Sequence, residues 1–253
     1  MKLTRANYFT PKNKYLTSSK LRDYQFDPYY FYRKHVLHDI VEEQTSSMRV
    51  GAGVDCWLTL GKKKFDKEYV MAERRNLKNP PKKVTELTLS EWKTVEACCK
   101  EVERLEVYQD IIRSKPFTQK IIQCSYKIGK FDGLAGIPDW FIERGDGFDI
   151  IDLKTTSSLD KFSYTARDLN YEFQQAFYQN LIQFYTGTLL TNPIFRSYLL
   201  VIETDPIFPR AGWLLMDQKG IEQVKATISF LLDCIGKGDY SQKQITWNDA
   251  KPL

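Results

Sequence analysis

Apolar positions along this chain recur with two periods, and the switches between them mark its elements. Near the start, Leu21 and Tyr24 repeat at helical spacing behind Ser18 or Ser19, either of which can cap a helix. That helix stops near Asp27-Pro28, because proline disfavours helical geometry in the residue before it. A second helical segment covers residues 29–40, and residues 50–60 make another that Gly61 stops. Ser90 then caps a long helix in which Trp92, Val95, Cys98 or Cys99, Val102, Leu105 and Ile112 repeat. Glu91, Lys93, Glu96, Lys100, Glu101, Glu103 and Arg104 form its wet face. Over residues 121–128 the period drops to two: Ile122, Cys124, Tyr126 and Ile128 alternate with Ile121, Gln123, Ser125 and Lys127, as along a half-buried strand.

Two short runs of β-formers, residues 140–142 and 148–153, flank Gly145-Asp146-Gly147, and this punctuation reads as a β-hairpin. Residues 169–185 return to helical spacing, with Phe173, Phe177, Leu181 and Phe184 as the core stripe. Gly187 and Asn192-Pro193 end that helix. Residues 195–203 and 211–216 read as two strands joined through Pro206 and Pro209, and residues 221–235 as a last amphipathic helix. Strands alternating with helices predict an α/β fold with a central mixed β-sheet flanked by helices.

Composition supports one domain over residues 1–253. Hydrophobic residues make up 42% and charged residues 27%, ordinary for a globular core of this size. Residues 1–15 read as an arm, and residues 240–253 as a tail. Residues 62–90, with Asn79-Pro80-Pro81 and Lys82-Lys83, are basic and turn-rich and read as an insertion or flexible loop. No run approaches the ~18 apolar residues of a membrane span, and residues 1–10 lack a signal-peptide core, so no membrane partner is expected. Five cysteines, odd in number and without a Cys-x-x-Cys, fit reduced thiols in a cytoplasm. A net charge of +5 permits a nucleic-acid partner without demanding one.

The chemistry is concentrated in the hairpin. Side chains alternate along a strand, so Asp152 and Lys154 share one face while Ile151 and Leu153 point to the other. Asp139, just upstream, can bring a second carboxylate to the same spot. Two converging carboxylates beside a lysine suit a hard divalent cation, Mg²⁺ or Mn²⁺, which prefers oxygen ligands. The plain alternative is a turn aspartate and two solvated strand residues, but Asp152 and Lys154 end a strongly apolar segment, where unpaired charges are costly. Thr155, Thr156, Ser157 and Ser158 follow, hydroxyls able to donate to phosphate oxygens. Ser18 and Ser19 are caps first and phosphate contacts second. The aromatic run 23–35 reads as core packing rather than a base-stacking surface, and His35 and His38 as surface residues. Gly133 and Gly136 would let backbone approach a metal or phosphate closely.

Pro138-Asp139 followed by Asp152-x-Lys154 resembles the PD-(D/E)xK nuclease motif, and Gln174-Gln175-Ala176-Phe177-Tyr178 resembles the QxxxY motif of its RecB-like branch. The segments 16–21 and 27–29, and Val50-Gly51-Ala52-Gly53 leading into a helix, are similar to RecE-type phage exonucleases; the likeness covers residues 16–239. It implies a restriction-endonuclease-like core and a metal-dependent 5′–3′ exonuclease that degrades one strand of linear double-stranded DNA, leaving single-stranded tails for recombination. Asp139 and Asp152 would hold the metal, Lys154 would orient or activate water, and Gln174 and Tyr178 would point at the centre. Asp55 stands where RecB-like relatives carry a metal-site histidine, and is a candidate third ligand. Gln123 stands near where related exonucleases carry a glutamate, so one acid is expected to be missing. An iron–sulfur cluster is not expected, because only Cys234 lies late enough. The resemblance also implies a homo-oligomeric ring, a single-strand annealing partner, double-stranded DNA ends as substrate, and a bacterial or phage-infected cytoplasm. The competing readings are a RecB-like endonuclease or single-strand nuclease, and a DNA-binding module that has kept the fold and lost catalysis.

Overall fold

The computed structural model describes residues 3–10, 13–72, 84–187 and 193–241. The chain begins with α1 (Arg5–Tyr8), β1 (Tyr15–Leu16), α2 (Ser18–Phe26) and α3 (Pro28–Tyr32), which runs into a π-helical turn, Arg33–Leu37. It continues through α4 (Ser46–Leu60), α5 (Lys62–Glu68), β2 (Tyr69–Met71), β3 (Thr85–Leu87), α6 (Leu89–Glu103) and α7 (Glu106–Arg113). Strands β4 (Phe117–Thr118), β5 (Ile122–Ile128), β6 (Phe131–Gly136), β7 (Trp140–Arg144) and β8 (Gly147–Thr156) follow. The chain then forms α8 (Phe162–Asp168), α9 (Tyr171–Thr186), β9 (Ile194–Glu203), β10 (Ala211–Leu215) and α10 (Gln218–Lys237).

The hairpin β7–β8 lies inside a five-stranded sheet ordered β10-β9-β8-β7-β4. Its central pair, β8 and β9, is parallel from Gly147↔Ile194 to Thr156↔Glu203; the other pairs are antiparallel. Both faces of β8 are covered, which is why it reads as an almost unbroken apolar run. Phe148 and Ile150 pack in a cluster with Phe173, Phe177 and Leu181 of α9 and Ile228 of α10. Ile151 and Leu153 pack on the opposite side with Val54 and Trp57 of α4 and Val95 and Cys99 of α6. A smaller sheet, β1-β6-β5, carries the chain toward the hairpin. The expected mixed sheet between helices is the observed restriction-endonuclease-like architecture.

Several local expectations shift. Thr17, not Ser18 or Ser19, caps α2: its Oγ1 accepts from the Lys20 N–H at 3.3 Å, and its backbone is extended. Thr88, not Ser90, caps α6, with Glu91 closing a capping box back to the Thr88 N–H at 2.9 Å. The long helix also breaks: Leu105 is extended and α7 restarts at Glu106, which turns Tyr108 and Ile111 inward and leaves Ile112 exposed. Phe184, in the last turn of α9, is 64% exposed and outside the core stripe. The lead-in expected as an arm holds α1 and the buried Leu3, and β1 pairs with β6. Residues 62–72 form a helix and a strand; the expected loop around Pro80-Pro81 and Lys82-Lys83 lies outside the described residues, as does most of the tail. Among the described residues no helix is long and apolar enough to cross a membrane.

Candidate active site

Strand alternation along β8 sets Asp152 and Lys154 on the face toward α9, where they form an ion pair. Asp152 is almost fully buried. Its Oδ1 accepts from Gln174 Nε2 at 3.2 Å, while Oδ2 meets the Lys154 ammonium. Asp139 sits just before β7 and is pinned across the hairpin by the Leu153 N–H, which donates to its Oδ2 at 2.7 Å. Asp55 comes from α4, on the far side of the chain in sequence. The amide of Gln119 joins them: Nε2 donates to Asp55 Oδ1 and Oδ2 at 2.8 and 2.9 Å and to Asp139 Oδ1 at 3.2 Å. Above them, Gln174 and Tyr178 lie one turn apart on α9. Gln174 Nε2 also donates to the Tyr178 hydroxyl at 2.9 Å, and that hydroxyl donates to the Ile137 carbonyl at 3.2 Å.

Crowding three carboxylates together, Asp152 almost fully buried and Asp55 and Asp139 half-buried, has the expected electrostatic result. Burial, then the charges of Asp55 and Asp152, hold the Asp139 carboxyl well above the usual range. Burial also raises Asp55; Gln119 and Arg5 pull against it and Asp152 pushes with it. Burial alone would lower the Lys154 ammonium, but Asp152 and Asp139 outweigh it, and the net shift is upward. Lys154 is therefore a fixed cation, and it also lies 4.8 Å from the centre of the Tyr171 ring. Burial and the neighbouring Asp152 keep the Tyr178 phenol protonated.

Among the described residues, no three His, Cys, Asp or Glu side chains stand close enough to enclose a metal as they are. The Gln119 amide and the Lys154 ammonium lie among the three carboxylates instead. The donor set nevertheless fits a hard divalent cation. It is carboxylate oxygen throughout, from Asp55, Asp139 and Asp152, the ligand type that Mg²⁺ and Mn²⁺ prefer.

These residues floor an open groove of about 840 Å³. Asp55, Asp139, Asp152, Lys154, Gln174 and Tyr178 all line it, and so do Ser18 and Ser19 at the start of α2. Thr155, Thr156 and Ser157 do not. Thr155 lies against Gly51 of α4 on the opposite strand face, and the Thr156 hydroxyl donates to the Ser158 carbonyl at 3.2 Å. Gln123 is not part of the groove either: its amide donates to the Tyr15 hydroxyl at 3.1 Å and its oxygen accepts from the Leu3 N–H. Gly133 and Gly136 serve packing rather than ligand approach. Gly133, at φ +141°, has no room for a Cβ against the Cys124 carbonyl, and a Cβ on Gly136 would come 2.6 Å from Leu181.

Part of the groove wall carries no readable signal in the sequence. His35 is largely buried and pairs with Asp23 at 2.7 Å on the groove wall, beside Lys34. Lys20 points its ammonium at the Asn13 and Tyr15 carbonyls, and burial lowers its pKa to about 8. Gln119 and Arg5 carried no signal, because their role depends on the fold. Gln119 has a left-handed backbone, φ +47°, and its N–H donates to the Asp139 carbonyl at 2.9 Å.

A carboxylate before the first strand of a hairpin, with a carboxylate and lysine on the second and a mixed sheet between helices, defines the PD-(D/E)xK nuclease superfamily. The chain belongs to the family described as a PDDEXK-like domain of unknown function (DUF3799), which matches residues 30–236. Its fold is similar to that of a crystal structure from Eubacterium rectale described as a "Putative exonuclease". The TM-score is 0.66 at 15% identity, covering 100% of this chain and 96% of that one. No curated protein matches the chain in sequence.

Proposed function

We propose that this protein is a divalent-metal-dependent deoxyribonuclease that degrades one strand of linear double-stranded DNA from its 5′ ends, leaving single-stranded tails for recombination. The observation that carries the reading is the meeting of Asp139, Asp152 and Lys154 beneath Gln174 and Tyr178 in an open groove. The likeness of residues 16–239 to RecE-type exonucleases supports the exonucleolytic form.

Asp139 and Asp152, with Asp55 beside them, would hold Mg²⁺ or Mn²⁺. Such a cation lowers the pKa of bound water and neutralises charge building on the phosphodiester. The chain's own residues do the rest. Lys154, paired with Asp152 at the edge of the groove, would orient or activate the attacking water and stabilise charge developing on the phosphate oxygens. Gln174 fixes Asp152, and Tyr178 holds Gln174 in turn. Ser19, exposed at the amino end of α2 on the groove lining, would meet backbone phosphates, with the buried Ser18 behind it. A ring-shaped homo-oligomer and a single-strand annealing protein are the partners this reading proposes.

The test is incubation of the protein with linear and with closed circular duplex DNA, in Mg²⁺ and in EDTA. Loss of the linear form alone, only in Mg²⁺, is the expected result. Cutting of the circle would replace the exonuclease with an endonuclease. Binding without cleavage of either would leave a DNA-binding module on a nuclease fold.

A further inference from the structure

The side chain that links Asp55 to Asp139 is itself held by the amino-terminal helix. Arg5 of α1 donates to Gln119 Oε1, on the opposite end of the amide from the carboxylates. A guanidinium has only donors, so Arg5 fixes which end of the amide faces which way: oxygen outward, NH₂ toward the acids. The NH₂ group then makes three contacts with carboxylate oxygens, at 2.8, 2.9 and 3.2 Å. These oxygens are the natural ligands of a hard cation, and an amide NH₂ cannot ligate one. The segment carrying Arg5 is anchored, because Leu3 is buried and its N–H donates to Gln123 Oε1 at 3.1 Å. Gln119 is anchored through its own N–H on the Asp139 carbonyl.

We propose that Arg5 and Gln119 form a gate on the metal site. Arg5 holds the Gln119 amide in the orientation that occupies the Asp55 and Asp139 oxygens, and cation entry requires that amide to turn or withdraw. Gln119 is a positioning residue whose setting lowers cation affinity, and the amino-terminal helix controls that setting. The proposal rests on the metal-dependent reading of the site above. A cation that binds only after the amide moves must overcome the contacts that held it, so weakening those contacts tightens binding.

The experiment is a Mn²⁺ titration followed by electron paramagnetic resonance on the full chain, without DNA. It compares the parent, Arg5→Ala, Gln119→Leu, the double variant and Asp139→Asn, with circular dichroism on each. Arg5→Ala and Gln119→Leu should each bind Mn²⁺ about tenfold tighter, the worth of one charge-assisted hydrogen bond. The double variant should bind no tighter than Gln119→Leu, because Arg5 acts through the amide. Weaker binding by Gln119→Leu would mean that the amide only supports the acids, and would overturn the gate. So would an Arg5→Ala gain that persists undiminished in the Gln119→Leu background, since Arg5 would then act by charge alone. Should Arg5→Ala lose its fold, Gln119→Leu against the parent decides. The underlying metal reading fails separately, if the parent binds no Mn²⁺ or if Asp139→Asn binds it equally well.

Discussion

Asp139, Asp152 and Lys154 could be read from the sequence because their geometry is local: strand alternation and a tight turn bring them together within sixteen residues. Gln174 and Tyr178 needed one more step, since only helical spacing plus a family likeness pointed them at the centre. Asp55, Gln119 and Arg5 could not be ranked this way, because α4, the β4 turn and α1 meet only in the folded chain. The hydroxyls at 155–157 lie outside the groove lining, and at Thr155 the reason is the opposite one. They follow Lys154 in sequence, but the strand alternation that aims Lys154 at the groove turns Thr155 to the other face. At this scale the account predicts that Lys154→Met lowers the cleavage rate about 10²–10³-fold with little effect on DNA binding, read by single-turnover cleavage and filter binding. Gln174→Ala should cost less, about tenfold, because it frees an Asp152 oxygen without removing a charge.

Elements were legible in kind and order, and less so at their ends. Ser and Thr are chemically equal as caps, so a run such as Thr17-Ser18-Ser19 leaves the choice to backbone geometry. At α6 the signal was present: Thr88-x-x-Glu91 is a capping-box spacing, and Glu91 also receives Arg49 Nε at 3.1 Å. Burial would raise the Glu91 carboxyl, but Arg49, Ser46 and the Thr88 N–H outweigh it and hold it at about 2. A depressed folded pKa contributes stability above the ordinary carboxylate value and loses it as pH falls through the folded one. Glu91→Gln should therefore cost about 1–2 kcal/mol near neutral pH, with the gap from the parent closing as pH drops from 4.5 toward 2. Urea melts across that range would show it, and a gap that widens in acid would refute it. The glycines of the hairpin were read as punctuation, yet Gly147 is also a packing requirement, since a Cβ there would run into the Ile194 carbonyl of β9. Gly147→Ala should destabilise by about 2–4 kcal/mol, visible as a lowered Tm, while Gly145→Ala, with open space around it, should be nearly neutral.

At the scale of the molecule, alternating periods were enough to give a mixed sheet between helices. The separate β1-β6-β5 sheet was not foreseen, because β1 is two residues long and pairs with a strand more than a hundred residues away. That pairing draws the amino-terminal segment against the groove and makes what looked like a loose arm part of the site's surroundings. The sheet, the helices and the groove together present a cluster of acids with Lys154 paired to one of them, and the central claim is that this cluster hydrolyses phosphodiesters. The most direct measurement is digestion of end-labelled linear duplex DNA in Mg²⁺ by the parent and by Asp152→Asn, with binding of the same DNA followed in parallel. The account predicts that the variant keeps its fold and binds DNA but cleaves at least about 10³-fold more slowly. Cleavage by Asp152→Asn at the parent's rate would contradict it.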